Sequence, residues 1–152
     1  PIGAMMYHEQ YDTWGPGGHV GTFRGNVPAF VGGTRAIEYI ESHNLLEHAT
    51  EVGTYIRSRF RELAEDVPEI VDIRRKGQFT GVEFAVDGDP SKSLVESIQG
   101  ECYHRGVLVW YAGRHKSVLR LLPPLVLTQR QAEIGMDIIT ESIRDVLANH
   151  DR

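Results

Sequence analysis

The sequence predicts an α+β fold, with helices packed on one face of a mostly antiparallel sheet, and three observations carry that prediction. Two pairs of short β-rich runs are each separated by a tight polar turn, as hairpins require. The helical patterns lie before, between and after these pairs instead of alternating with single strands. Finally, about four strands and four helices account for the chain, with no internal repeat and no low-complexity segment.

Residues 1–27 come first and have little periodicity. Turn formers such as Gly15, Pro16, Gly17 and Gly18 separate the aromatics Tyr7, Tyr11, Trp14 and Phe23, which predicts a long functional or interfacial loop whose aromatics pack on a domain or subunit outside this chain. Starting at Pro1 with Pro-Ile-Gly-Ala and no initiator Met, the chain reads as a piece cut from something longer.

A helix is predicted from Pro28, with Asn26 as a nearby cap and Ala29, Ile37 and Ile40 on one side. Asn44 and Glu47 have capping-box spacing, and Leu45, Ala49, Val52, Ile56, Phe60 and Leu63 recur at helical steps to about Asp66. After Val67-Pro68, residues 70–74 predict a strand that turns at Lys76-Gly77 into a second, where Val82, Phe84 and Val86 alternate with Glu83, Ala85 and Asp87. A turn at Asp87-Gly88-Asp89-Pro90 leads into a helix on Leu94, Ile98 and Cys102, closed by Arg105-Gly106. Residues 107–111 and 118–122 predict another hairpin around Gly113-Arg114-His115-Lys116, stopped by Pro123-Pro124. Thr128 and Gln131 form a last capping box, ahead of a helix whose inner face carries Ile134, Ile138, Ile139, Ile143, Val146 and Leu147.

A chain of 152 residues fits one ordinary domain. Its 41% hydrophobic and 24% charged residues exclude disordered and collagenous classes. The net charge of −5, with no basic block, argues against binding to nucleic acid or to an anionic membrane. A single cysteine, Cys102, excludes an intramolecular disulfide, and the seven histidines show no zinc spacing, so no metal is expected. No run reaches the ~18–20 apolar residues of a membrane span, and the N-terminus lacks a signal-peptide pattern, so a cytoplasmic setting is expected.

Three features could carry chemistry. In the loop around Gly21-Thr22-Phe23-Arg24-Gly25-Asn26, glycines free backbone amides and Thr22 adds a hydroxyl, the parts that hold a phosphate; the same pattern also suits a plain connector. Arg120, among Leu119, Leu121 and Leu122, is either a carboxylate clamp, or a surface arginine, or one paired to an internal Asp or Glu. The basic turn from Arg74 to Gly81 either brings a backbone near a ligand or is a solvated hairpin. His104 beside Cys102 reads as core-edge packing, and Lys76, Lys92 and Lys116 all sit in polar turns or at helix starts, so none has the setting of a Schiff-base lysine.

Taken in order, Pro-Ile-Gly-Ala at 1–4, Gly-Thr-Phe-Arg-Gly-Asn at 21–26, Asp72-Ile73-Arg74 with Gly77 and Gly81-Val82-Glu83, Arg105-Gly106-Val107-Leu108 and Arg120-Leu121-Leu122-Pro123-Pro124-Leu125 resemble the C-terminal part of class III aminotransferases. These are pyridoxal-phosphate enzymes of fold type I, and the resemblance runs almost end to end. It implies that residues 1–27 end the large cofactor-binding domain, and that residues 28–152 form an interdomain helix and the C-terminal small domain. It also implies that Gly21 and Thr22 reach the phosphate of pyridoxal 5'-phosphate across a homodimer interface, and that Arg120 binds a substrate carboxylate. The substrates would be an amine or amino acid, such as 4-aminobutyrate, ornithine or diaminobutyrate, and a 2-oxo acid. On this resemblance the Schiff-base lysine lies upstream of Pro1, so the chain holds no catalytic residue and is inactive alone. Val20, the Val27 inserted before Pro28, and Gln78-Phe79 in place of Leu and Met depart from the family pattern. A non-catalytic module that binds amino or keto acids and a stand-alone interaction domain are the alternative readings.

Overall fold

The computed structural model describes residues 2–150; Pro1, which opens the Pro-Ile-Gly-Ala run, and Asp151-Arg152 lie outside the described residues. The chain divides into two compact units, one ending at Asn44 and the other starting at Leu45.

In the first unit, residues up to Asn26 are irregular apart from a 3-10 turn at Glu9–Tyr11. Trp14 lies with its ring centre 5.4 Å from that of Tyr7 and 5.5 Å from that of His19, so the loop's aromatics partly cover one another. Helix α1 spans Val27–Ser42, and the Asn26 side chain accepts the Ala29 amide at 3.0 Å, making it the cap that the sequence predicts. No residue of α1 is buried, and Ile37 is 58% exposed. The Asn44–Glu47 capping box does not form: Asn44 sits at φ +51, in the left-handed region that a short amide side chain tolerates, instead of the extended backbone of a cap.

The second unit holds the sheet. Helix α2, Leu45–Asp66, buries the whole predicted stripe from Leu45 to Leu63. Strand β1, Ile70–Lys76, and strand β2, Phe79–Val86, pair antiparallel from Lys76↔Phe79, with Gly77 at φ +56 taking the first position of a two-residue turn. Both strands extend further toward the turn than their apolar alternation predicts. Asp87, at φ +53, and Gly88 turn the chain into a two-residue strand, β3, Asp89–Pro90, which raises the expected four strands to five.

Helix α3, Lys92–His104, is capped by the Ser91 hydroxyl, which accepts the Leu94 amide. It ends in paired bonds from the Gly106 amide to the Tyr103 carbonyl and from the Val107 amide to the Cys102 carbonyl, with Gly106 at φ +88. That ending uses Val107, which is why β4 begins only at Trp110 and covers Trp110–Ala112. Strand β5, Val118–Leu121, pairs with both β4 and β2, giving the order β1-β2-β5-β4. In α4, Gln129–His150, the Thr128 hydroxyl accepts the Gln131 amide while the Gln131 side chain accepts the Thr128 amide, a complete capping box. Its buried face runs through Ala132, Met136, Ile139 and Ile143, so the predicted Ile134 instead points outward at 46% exposure.

Register then assigns the two faces of the sheet. Ile73, Val82, Leu119 and Tyr111 are successive cross-strand partners and lie on the face packed against Phe60 of α2, Ile98 of α3 and Met136 of α4. One residue further along each strand, Arg74, Gly81, Arg120 and Trp110 form the corresponding row on the opposite face.

Cys102 is fully buried within this core. Desolvation pushes its thiol above the usual range, and the hydrogen bond with Ser142 offsets only part of that. The folded thiol therefore holds its proton more tightly than the unfolded one. Its contribution to stability is complete below the unfolded thiol pKa and is lost as pH rises toward the folded value. Alkylation of Cys102 is expected to proceed only at the rate at which the core opens; labelling of the native protein as fast as a free thiol contradicts this placement.

Candidate functional site

The site is built on the sheet face that carries Arg120. Alternation along β5 sends Val118 to that face and Leu119 into the core, then returns Arg120 to the outer face before Pro123-Pro124 stops the ladder. On one flank Arg120 stands opposite Gly81 of β2, which has no side chain, and on the other opposite Trp110 of β4. A groove of about 330 Å3 opens over this row, lined by Arg74, Phe79, Gly81, Ala112, Val118 and Arg120. The absent side chain at Gly81 leaves the floor of the groove low, and a Cβ there would stand 3.1 Å from a Val118 methyl.

The cations of this region differ in how they are engaged. Arg74 is held between Asp72 and Glu83, with its Nη1 2.9 Å from the Glu83 carboxylate; these bonds, the one to Asp72 first, raise its already high pKa. Arg75 donates to the Gly77 carbonyl at 3.2 Å and to the Thr54 hydroxyl at 2.8 Å. Lys92 pairs with Glu96, and Lys116 lies over the Tyr111 ring. Arg120 is half-buried and has neither a salt bridge nor a side-chain hydrogen bond among the described residues. Among the described residues no Asp or Glu pairs with Arg120, and its planar fork faces the groove. Such a group recognises a carboxylate through two parallel charge-assisted hydrogen bonds.

Gly21 and Thr22 belong to the first unit, in a turn closed by the Arg24 amide bonding to the Gly21 carbonyl at 3.0 Å. Arg24 folds back, its guanidinium 2.7 Å from the His19 carbonyl and 2.9 Å from the His19 ring. The Thr22 amide and hydroxyl have no hydrogen-bond partner among the described residues, and the turn is exposed. An amide and a hydroxyl from one residue, both available on an exposed turn, suit a phosphate. Gly21–Thr22 and Arg120 thus fall in different units.

His104 is exposed while Cys102 is buried, because residues two apart on a helix do not share a face, so the two form neither a catalytic pair nor the expected core edge. Among the described residues no group of three or more His, Cys, Asp or Glu is placed to hold a metal ion, and no helix is long and apolar enough to cross a membrane. Sequence reasoning missed the Asp72–Arg74–Glu83 triad and the pairing of Gly81 with Arg120. The available signal was the glycine inside a strand pattern, which marks a close approach.

A family model for class III aminotransferases matches residues 1–143 of this chain. A diaminobutyrate–2-oxoglutarate aminotransferase of Rhizobium meliloti (strain 1021) is 36% identical over 142 residues, covering 88% of this chain and 30% of that protein. Among solved structures, a transaminase from directed evolution by ancestral reconstruction superposes with a TM-score of 0.77 at 25% identity, over 87% of this chain and 30% of that one. A phospholyase from Arthrobacter in complex with phosphoethanolamine matches at 29% identity and a TM-score of 0.70, over 74% of this chain and 27% of that one. This chain spans about a third of the length of the curated relatives it matches.

Proposed function

The chain belongs to the class III aminotransferase family, and from that premise we propose that it serves an enzyme moving an amino group between an amine or amino acid and a 2-oxo acid. The amine we propose is of the diaminobutyrate kind and the acceptor of the 2-oxoglutarate kind, the pair named for the Rhizobium meliloti relative. The observation that carries this reading is the unpaired Arg120 above Gly81 in a groove of the sheet.

The cofactor of the reading is pyridoxal 5'-phosphate, which when bound supplies an electron sink for the bond broken at the substrate carbon. Thr22 would hold its phosphate through hydroxyl and amide, with Gly21 letting the phosphate approach the backbone. We assign this contact to the site of a neighbouring subunit, in a cytoplasmic homodimer. Arg120 fixes the substrate carboxylate and so orients the reacting carbon, with Trp110 opposite it on the adjacent strand. Lys92 and Lys116 are engaged at the surface and Lys76 is exposed beside the hairpin turn. In this reading the covalent attachment therefore lies elsewhere in the enzyme, and the 152-residue chain alone does not turn over substrate.

The full-length enzyme is expected to retain pyridoxal phosphate and to form glutamate from 2-oxoglutarate in the presence of diaminobutyrate. A protein that retains no cofactor and forms no glutamate supports instead a module that only binds amino or keto acids. Thr22→Val removes the hydroxyl at nearly constant volume and is expected to weaken cofactor affinity about tenfold, the scale of one hydrogen bond to a charged group. Unchanged affinity in a cofactor titration of the apoenzyme contradicts the assignment of Thr22.

A further inference from the structure

On the outer face of the sheet, Glu83 lies on the central strand β2 between two arginines. Register puts Arg74 opposite Gly81 on one side and Arg120 opposite Gly81 on the other, while Glu83 itself faces Asp72 and Val118. Glu83 is therefore a diagonal neighbour of both arginines, within the reach of long side chains on one sheet face. Of the two possible pairs, the structure holds only Arg74–Glu83, at 2.9 Å, and Arg74 also engages Asp72. The stem of Arg74 passes over Gly81, its Cγ 3.9 Å and Nε 4.0 Å from where a Cβ would stand.

Resting on the reading that Arg120 binds a substrate carboxylate, we infer that Arg74 is a positioning residue for that step: by occupying Glu83, it keeps this carboxylate off Arg120 and leaves the Arg120 fork open to substrate. Without Arg74, the nearest cation for Glu83 on this face is Arg120, and a substrate carboxylate must then displace an internal one. The cost falls on substrate affinity, not on the chemistry that follows binding.

The test measures KM and kcat for glutamate in the full-length enzyme carrying Arg74→Gln, Glu83→Gln, both substitutions, or Arg120→Ala. Arg74→Gln is expected to raise KM about tenfold with a smaller effect on kcat, the scale of coupling between close charges. Adding Glu83→Gln is expected to bring KM back to within about threefold of wild type, because the competing carboxylate is gone. An Arg74→Gln enzyme with unchanged KM, or a double variant that keeps the full loss, overturns the inference. If Arg74→Gln alone does not fold, the double variant decides: KM near wild type supports the inference, and a tenfold rise contradicts it. Arg120→Ala separates the two levels, since an unchanged KM there removes the carboxylate reading itself.

Discussion

Replacing Arg120 with alanine is expected to lower kcat/KM for a carboxylate-bearing substrate by about 10²–10³-fold, equivalent to about 3–4 kcal/mol. The magnitude follows from losing two charge-assisted hydrogen bonds at once, each worth about 1.5–3 kcal/mol; Lys76, also lining the groove, offers a charge but not the planar fork. Arg120→Lys is expected to recover only part of the loss, because an ammonium supplies the charge but not the parallel donors. Steady-state kinetics on the two variants check both statements, and Lys as effective as Arg would mean that charge alone is used. The substitution should leave the fold intact, since Arg120 lies outside the core cluster.

Gly53→Ala is expected to produce the largest loss of stability, about 3 kcal/mol or more. Gly53 is buried on α2 where that helix crosses the β1-β2 turn, and an added Cβ would stand 1.9 Å from the Gly77 carbonyl oxygen and 2.6 Å from its carbonyl carbon. Neither atom belongs to a flexible side chain, so helix and hairpin must separate, and the packing of Val52 and Ile56 loosens with them. Gly100 of α3 is the control, since a Cβ there meets nothing within 4 Å. Gly100→Ala is expected to stabilise by about 0.5–1 kcal/mol through helix propensity alone. Thermal or denaturant unfolding of the two variants should give opposite signs; equal effects would refute the helix–hairpin contact.

These expectations separate what local sequence could reveal from what it could not. The α2 stripe, the Asn26 cap, the Thr128–Gln131 box and both hairpins were legible because each depends on residues within a few positions of one another. Asn44 misled because the same residue type serves as a helix cap and in the left-handed conformation, and only its backbone angle tells the two apart. Ile134 misled because apolar residues on both sides of α4 leave its inner face ambiguous until Ala132 and Met136 are seen to face the sheet. For the site, Arg120 could be named from its aliphatic setting, but its lack of a partner depends on Glu83 being bonded to Arg74, a fact of strand register. The Gly77–Gly53 approach is likewise a contact between residues far apart in sequence.

The most direct test compares two amino donors that differ only in carrying a carboxylate, assayed with the full-length enzyme and its Arg120→Ala variant. If Arg120 is the carboxylate clamp, the variant loses about 10²-fold or more of its preference for the carboxylate-bearing donor while its rate on the other donor changes little. An equal loss on both donors, or a preference left intact, contradicts the account.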